Sequence, residues 1–240
     1  MKRFALIGHP VAGSLSPVLF TAAYDGRYPY DLRDFPSFEE AWMAFLEEGY
    51  TGINVTAPYK QDAFAAVDAC SEGARLTGAV NLVVRRAGAL WGCNTDVDGV
   101  VGALGPSVSG ASALIVGTGG AARAAIVGCR QLGCSVTVAG RSAEKLAALK
   151  EAFGCDTVPL SEPFSAPLVV YTLPGSAPVP SGLPLEDAVV LEAEYRHPAL
   201  DQVQCRRYIS GRQWLLWQAV AGYKLFTGEE PSFEKMSAAL

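Results

Sequence analysis

The stretch SALIVGTGGAARAAIVGCRQLG (112–133) constrains the fold more than any other part of the chain. A five-residue apolar run breaks on a glycine-rich turn, and the turn opens a segment with helical spacing that stops at Gly133. An apolar run of that length without polar alternation reads as a strand buried on both faces. The same alternation continues through SVTVAG (135–140), SAEKLAALKEAFG (142–154, with Ser142 as its cap), PLVVYT (167–172) and DAVVLEAEY (187–195). It also precedes the stretch. RFALIG (3–8) reads as a strand, followed by a helix in SLSPVLFTAAYDG (14–26), where Ser16 is placed as cap and Pro17 at the first helical position. SFEEAWMAFLEEG (37–49) carries Ser37 and Glu40 in capping-box spacing and ends on Gly49. TGINVT (51–56) reads as a strand, Pro58 as the opening of a helix containing Ala63, Phe64 and Val67, and 80–96 as a hairpin turning at Ala87-Gly88. Strands alternating with helices in this way specify parallel sheets with crossover helices, an α/β architecture.

Within that architecture the glycine turn has chemical meaning. Gly117, Gly119 and Ala122 fit G-x-G-x-x-(G/A) directly after a strand: a tight turn, a close approach of backbone to a pyrophosphate, and a small residue where helix packs on strand. The helix N-terminus adds favourable electrostatics for phosphates. At the end of the next strand an NAD site would carry a carboxylate for the ribose hydroxyls. GRSAEK (140–145) instead offers Arg141 and Ser142, and a guanidinium suits a 2′-phosphate, so NADP is the expected cofactor.

The bulk numbers exclude other classes. Half of the 240 residues are hydrophobic, 18% are charged and the formal charge is −5, so a compact fold is expected and a nucleic-acid surface is not. The six cysteines include no C-x-x-C pair and there are only two histidines, so no zinc site is expected and the thiols read as reduced and mostly buried, as in a cytoplasmic protein. The uncharged span 99–122 is broken by Gly, Ser and Pro, and the apolar run after Met1 is short, so neither a membrane span nor a signal peptide is expected.

Reduction of a carbonyl needs a proton donor, and neither His9 nor His197 stands in a suitable context. Lys60 in NVTAPYK stands one step past a strand, and CNTD (93–96) ends a strand with the carboxylate of Asp96. If both strands end at one rim, the carboxylate orients the ammonium and the two form an acid–base pair.

These motifs together resemble the shikimate dehydrogenase family, including its quinate/shikimate branch. GSLSP (13–17) is similar to H-S-x-S-P, NVTAPYK to N-V-T-x-P-x-K, and VNLVV…GCNTDVDG to A-N-T…G-x-N-T-D-x-x-G. GTGGAARA, GRSAEK and WLLWQA (214–219) are similar to the family's G-x-G-G-A-x-R-A, N-R-[ST]-x-x-K and M-L-x-x-Q-A, so the resemblance runs in order through nearly the whole chain. It implies reversible NADP-linked oxidation of shikimate to 3-dehydroshikimate, in the biosynthesis of chorismate and aromatic amino acids. Lys60 and Asp96 become the catalytic pair. Ser14 and Ser16 would hold the substrate carboxylate with help from Tyr195, and Asn54, Thr56, Asn81 and Gln218 would bind ring hydroxyls. Gly117, Thr118, Gly119, Gly120, Ala121, Arg141, Ser142 and Thr172 would hold NADP. The implied organisation is an N-terminal α/β substrate domain (1–96 with 213–240) and a Rossmann-like NADP-binding domain (97–212) flanking a cleft, as a monomer or homodimer. Turnover of quinate or an amino-substituted shikimate, or a non-catalytic shikimate-binding role, is the alternative.

The chain departs from the pattern in places. Gly13 stands where the family has His, Leu82 replaces Thr, and Tyr171 and Leu173 replace Asn and Thr in N-x-T-P-x-G-M. One extra residue separates Tyr195 from Pro198. The turn before Ser14, the nicotinamide end and the substrate preference are where a difference is expected.

Overall fold

The computed structural model of the chain describes residues 2–162 and 164–240. The chain divides into two compact units, one running to Thr95 and resuming at Gln218–Leu240, the other spanning Asp96–Trp217.

The first unit contains β1 (Phe4–Gly8), α1 (Ser16–Tyr24), β2 (Tyr30–Asp34), α2 (Phe38–Glu47), β3 (Gly52–Val55) and α3 (Lys60–Ala66). It continues with β4 (Ala69–Cys70), α4 (Glu72–Thr77), β5 (Leu82–Arg86) and β6 (Ala89–Cys93). These strands form one sheet in the order β2-β1-β3-β5-β6-β4. β2 and β3 pair in parallel with β1, while β5 is antiparallel to both β3 and β6. The carboxyl ends of β1, β3 and β6 therefore share one rim with the amino end of β5. Alternation sorts the faces: Ala5, Ile7, Ile53 and Val55 join Ala41 and Phe45 of α2, Ala63 of α3 and Ala74 of α4 in one core, whereas Phe4 packs against Phe20 and stacks on Phe226 on the other face.

The second unit opens with α5 (Asp96–Leu104), then β7 (Ser112–Val116), α6 (Gly120–Gln131), β8 (Ser135–Gly140), α7 (Ala143–Phe153) and β9 (Asp156–Pro159). β10 (Leu168–Tyr171), β11 (Val189–Glu192) and β12 (Arg207–Ile209) complete a sheet in the order β12-β11-β10-β7-β8-β9, with every pair parallel. α8 (Gly211–Thr227) begins in this unit and continues into the first from Gln218, and α9 (Phe233–Ala238) belongs to the first. Right-handed crossovers explain the layering. The chain winds one way from β7 to β9, which places α6 and α7 on one face; from β10 to β12 it winds the other way. Ala113, Ile115, Val136, Val138, Val170 and Leu191 pack with α5, α6 and α7. The opposite face, with Leu114, Val116, Val169, Tyr171 and Val190, is covered by connecting segments containing Phe164, Leu183, Leu185, Ala199 and Val203. Among the described residues no helix forms in those connections, and the recurring prolines of 167–184 are unfavourable to helix interiors.

Several local expectations shift. Ser16 is the first helical residue of α1 and Leu15 its cap, which moves Pro17 to the second position. α3 opens at Lys60 behind a Tyr59 cap, not at Pro58, and Val67 is its C-cap. Asp96 does not end a strand: β6 stops at Cys93, and Asp96 opens α5. Asp96 and residues 213–217, expected with the first unit, group with the second because Val97, Val100 and Trp214 pack in its core. β2, β9, β12, β4 and α9 carry too little apolar patterning to be read from the sequence. The capping of α2 by Ser37 and of α7 by Ser142 is present, each hydroxyl accepting an N–H three residues on, from Glu40 and Lys145. The hairpin turns through positive-φ Ala87 and Gly88. The six cysteines are free thiols, four of them buried, and burial pushes Cys129 up to about 12, so that thiol stays protonated. Among the described residues no helix is long and apolar enough to cross a membrane.

Candidate functional site

In the first unit the expected substrate residues gather at the shared rim. The segment after β1 carries Ser14 and Ser16. The Ser14 hydroxyl lies 3.2 Å from that of Ser16 and accepts the Ser16 N–H at 3.3 Å. Gly13 adopts φ +79°, a conformation that favours glycine, so its place before Ser14 has a backbone reason. The Asp34 carboxylate anchors the start of this segment, 2.6 Å from His9 Nδ1 and accepting the Val11 N–H at 2.9 Å. These two contacts, His9 first, hold its pKa below the usual carboxylate range.

β3 places Asn54 on the face that carries α1, buried to 7% exposure. Its Nδ2 donates to the Asn81 carbonyl at 3.2 Å, and its Oδ1 accepts from the Tyr30 hydroxyl at 2.8 Å. Thr56 follows β3 and is tied back through its N–H to the Ile7 carbonyl. Four residues on, Lys60 starts α3, and its carbonyl accepts the N–H of Val80, next to Asn81.

Asn81 and Thr95 are locked together. Asn81 Oδ1 accepts the Thr95 N–H at 2.8 Å, which fixes the amide's orientation, since a backbone N–H only donates. Asn81 Nδ2 then faces Thr95 Oγ1 at 3.1 Å and Gln218 Oε1 at 3.4 Å, and the Thr95 hydroxyl lies 3.3 Å from the same Gln218 oxygen. Asn81, Thr95 and Gln218 are each at most 8% exposed. A buried network of this kind holds its members in one orientation. Hydrogen bonds in the first unit thus join Asn54, Asn81 and Gln218 to one another and Ser14 to Ser16, with Thr56 and Lys60 following β3 at the same rim. Tyr30 and Thr95 are members the sequence reading missed. Tyr30 lies on a charged edge strand, YDLRD, that looks like loop, and Thr95 was read only as part of CNTD. Leu82, where the resembled pattern has Thr, is fully buried core.

In the second unit the winding of the sheet reverses between β7 and β10, the place where open α/β sheets bind ligands beyond their carboxyl ends. Gly117 and Thr172 leave these two strands. Thr172 donates to the Val116 carbonyl from both its N–H, at 2.9 Å, and its hydroxyl, at 2.8 Å. Gly117 has φ +121°, and a Cβ there would overlap the Thr172 hydroxyl. Thr118 packs its methyl against Gly140. Gly119 caps α6 with no side-chain bond, and added Cβ atoms at Gly119 or Gly120 would meet open space. Ala121 sits in the first turn of α6, and Ala122 is fully buried beneath it. A helix start without a side-chain cap, beside glycines with open space, fits a diphosphate. Beyond β8, Arg141 is exposed and Ser142 caps α7, so the segment after that strand offers a guanidinium. The donor set therefore fits NADP.

Asp96 belongs to this unit, directly after Thr95, and its carbonyl accepts the Trp214 indole N–H at 2.9 Å. Tyr195 lies in the segment following β11, half-buried, with the Arg196 guanidinium 5.7 Å from its ring centroid. That segment is pinned by two carboxylates. Glu194 accepts the Arg196 N–H at 2.7 Å. Glu192, fully buried, accepts the N–H groups of Ala199 (2.6 Å) and Leu200 (3.1 Å) and the hydroxyl of Tyr208 (2.8 Å). Tyr171, a departure expected to alter the nicotinamide end, is fully buried in the core around Val169 and Val190.

Known proteins resemble this chain along its whole length. The model of the shikimate dehydrogenase substrate binding domain matches residues 6–83. The shikimate dehydrogenase (NADP(+)) of Thermus thermophilus is 36% identical over 259 aligned residues, covering 100% of this chain and 97% of the relative. The enzyme of the same name from Halobacterium salinarum is 36% identical, covering 100% and 98%. Among solved structures, a Thermus thermophilus shikimate 5-dehydrogenase in complex with NADP(H) and shikimate superposes with a TM-score of 0.88 at 32% identity, covering 100% of this chain and 98% of the other. The Mycobacterium tuberculosis shikimate dehydrogenase gives 0.86 at 32% identity, covering 100% and 98%. With full-length relatives above 30% identity and the motifs at the sheet rims, this chain belongs to the shikimate dehydrogenase family.

Proposed function

We propose that this protein catalyses the reversible, NADP-dependent oxidation of shikimate to 3-dehydroshikimate, a step of chorismate and aromatic amino acid biosynthesis, in the cytoplasm. The observation that carries the reading is the full-length match to a structure bound to NADP(H) and shikimate, in a chain whose own rim holds a lysine among buried amides and hydroxyls. NADP, when bound, supplies the hydride acceptor. Gly117, Thr118, Gly119, Gly120, Ala121 and Thr172 hold its diphosphate and nicotinamide side, and Arg141 with Ser142 holds the 2′-phosphate. Lys60 and Asp96 exchange the proton of the reacting hydroxyl: a carboxylate beside an ammonium orients it and tunes its proton affinity. Ser14 and Ser16 donate to the substrate carboxylate with Tyr195 at the same end. Asn54, Thr56, Asn81 and Gln218 bind the ring hydroxyls, since amides offer both donors and acceptors to vicinal alcohols. The first unit is then the substrate domain and the second the NADP domain, in a monomer or homodimer.

The test is the rate of NADPH formation with shikimate and with quinate, repeated with NAD. Efficient turnover of shikimate with NADP is expected. Tight shikimate binding without turnover would overturn the enzymatic reading, and a clear preference for NAD or for quinate would overturn the cofactor or the substrate.

A further inference from the structure

The orientation of the Asn54 amide follows from its neighbours. One amide atom lies 3.2 Å from the Asn81 carbonyl oxygen, which can only accept, so that atom is Nδ2. The other is then Oδ1, and the Tyr30 hydroxyl 2.8 Å away must be the donor. Tyr30 is not free to turn elsewhere. Its ring is packed against Phe20, with centroids 4.7 Å apart, and faces Tyr223 edge-on at 6.2 Å. Burial raises the phenol's pKa, so it remains a protonated donor. The Ser16 carbonyl is held separately, accepting from the Tyr223 hydroxyl at 2.9 Å.

We infer that Tyr30 is a positioning residue for substrate binding: its phenol, held by the packing of its ring and donating to the Asn54 amide, sets the direction in which that amide meets a bound hydroxy acid. The inference rests on the function proposed above and adds a residue to it. The Asn54 amide spends one N–H on Asn81 and one lone pair on Tyr30, which leaves its second N–H and second lone pair for a ring hydroxyl. Without the phenol, Asn54 Oδ1 loses its partner, and the amide is held through the Asn81 carbonyl with its oxygen side no longer tethered. That loss falls on the affinity for the acid. It does not touch the proton exchange at Lys60 and Asp96 or the nucleotide residues of the second unit.

The experiment is steady-state kinetics of Tyr30→Phe, with Tyr28→Phe as a control. Tyr28 also donates its phenol proton, but to Glu229. For Tyr30→Phe we expect the KM for the acid to rise roughly 3- to 10-fold, the net worth of about one hydrogen bond. Its kcat should stay within about twofold and its KM for NADP should not change, because neither depends on orienting Asn54. In an Asn54→Ala background Tyr30→Phe should add nothing further, as for two residues acting through one contact. An unchanged KM for the acid in a wild-type enzyme that does oxidise shikimate overturns the inference alone, as does full additivity with Asn54→Ala. A joint fall in melting temperature, kcat and both affinities also overturns it, since that pattern belongs to a packing role. Wild-type turnover of neither shikimate nor quinate overturns the proposed function and this inference with it.

Discussion

Glu192 is a buried carboxylate that ties Tyr208 and the loop at Ala199-Leu200 together, and replacing it with glutamine isolates that tie. The side chain is fully buried, with Oε1 accepting from Ala199 N–H and Oε2 from Leu200 N–H and the Tyr208 hydroxyl. Glutamine has nearly the same shape but converts one of those oxygens into an NH2 group. Whichever way it turns, a side-chain donor then faces a backbone donor. The Tyr208 hydroxyl can rotate and accept, but a peptide N–H cannot. At least one N–H, that of half-buried Ala199 or of buried Leu200, is left unpaired, at about 1–3 kcal/mol, and charge assistance is lost from the remaining bonds. Removing a buried carboxylate also recovers part of its desolvation, which offsets some of this loss. A net destabilisation of roughly 2–4 kcal/mol follows, and at about 2–4 °C per kcal/mol for a chain of this length it lowers the melting temperature by roughly 4–16 °C. Calorimetry of wild type, Glu192→Gln, Tyr208→Phe and the double variant reads it, with a coupling of about 0.5–3 kcal/mol expected between the two sites. A Glu192→Gln protein that melts within about a degree of wild type would refute the reasoning.

Other expectations are shorter. Lys60→Ala should lower kcat by roughly 10²–10⁴-fold, the range for losing a general acid–base group, with a smaller change in KM, and near-normal kcat would exclude the role. Gly117→Ala forces a side chain into φ +121° against Thr172; at roughly 1–3 kcal/mol for such strain, the KM for NADP should rise about tenfold or more while the affinity for shikimate is kept, and a normal NADP titration would count against the turn. The Asp34 carboxylate, with its folded pKa depressed chiefly by His9 and then by the Val11 N–H, should stabilise its loop at neutral pH, above the unfolded value of about 3.9. That contribution is lost as the pH falls through the lower folded value, so in an NMR titration the Asp34 carboxyl should titrate below the ordinary aspartate range. Titration at or above that range would remove the anchor.

The parts of the fold that were legible in the sequence are the ones decided within about a dozen residues. Buried strands such as SALIV and LVV show as uninterrupted apolar runs, the caps Ser37 and Ser142 act three residues away, and the hairpin at Ala87-Gly88 declares its own turn. The glycine turn is local in the same sense: Gly117 is glycine because its φ is +121°. β2 was not legible. A half-exposed edge strand needs no apolar periodicity, since its stability comes from pairing with β1 across residues that precede it by some 26 positions. The loops over the β10–β12 face were equally hidden, because sheet winding and not local propensity decides which connections cover which face.

The candidate site divides along the same line. The sequence by itself determined the chemical groups: a lysine, a carboxylate, two serines, three amides, a glycine turn and an arginine where a 2′-phosphate would lie. Only the tertiary structure decided how those groups are held. Asn81 meets Gln218 across 137 residues, Tyr30 meets Asn54 across 24, and Glu192 reaches forward to pin the loop beyond Tyr195. The reason is physical. The identity of a polar side chain fixes what it can donate or accept, but its orientation is fixed by partners that only folding brings within 3 Å or so.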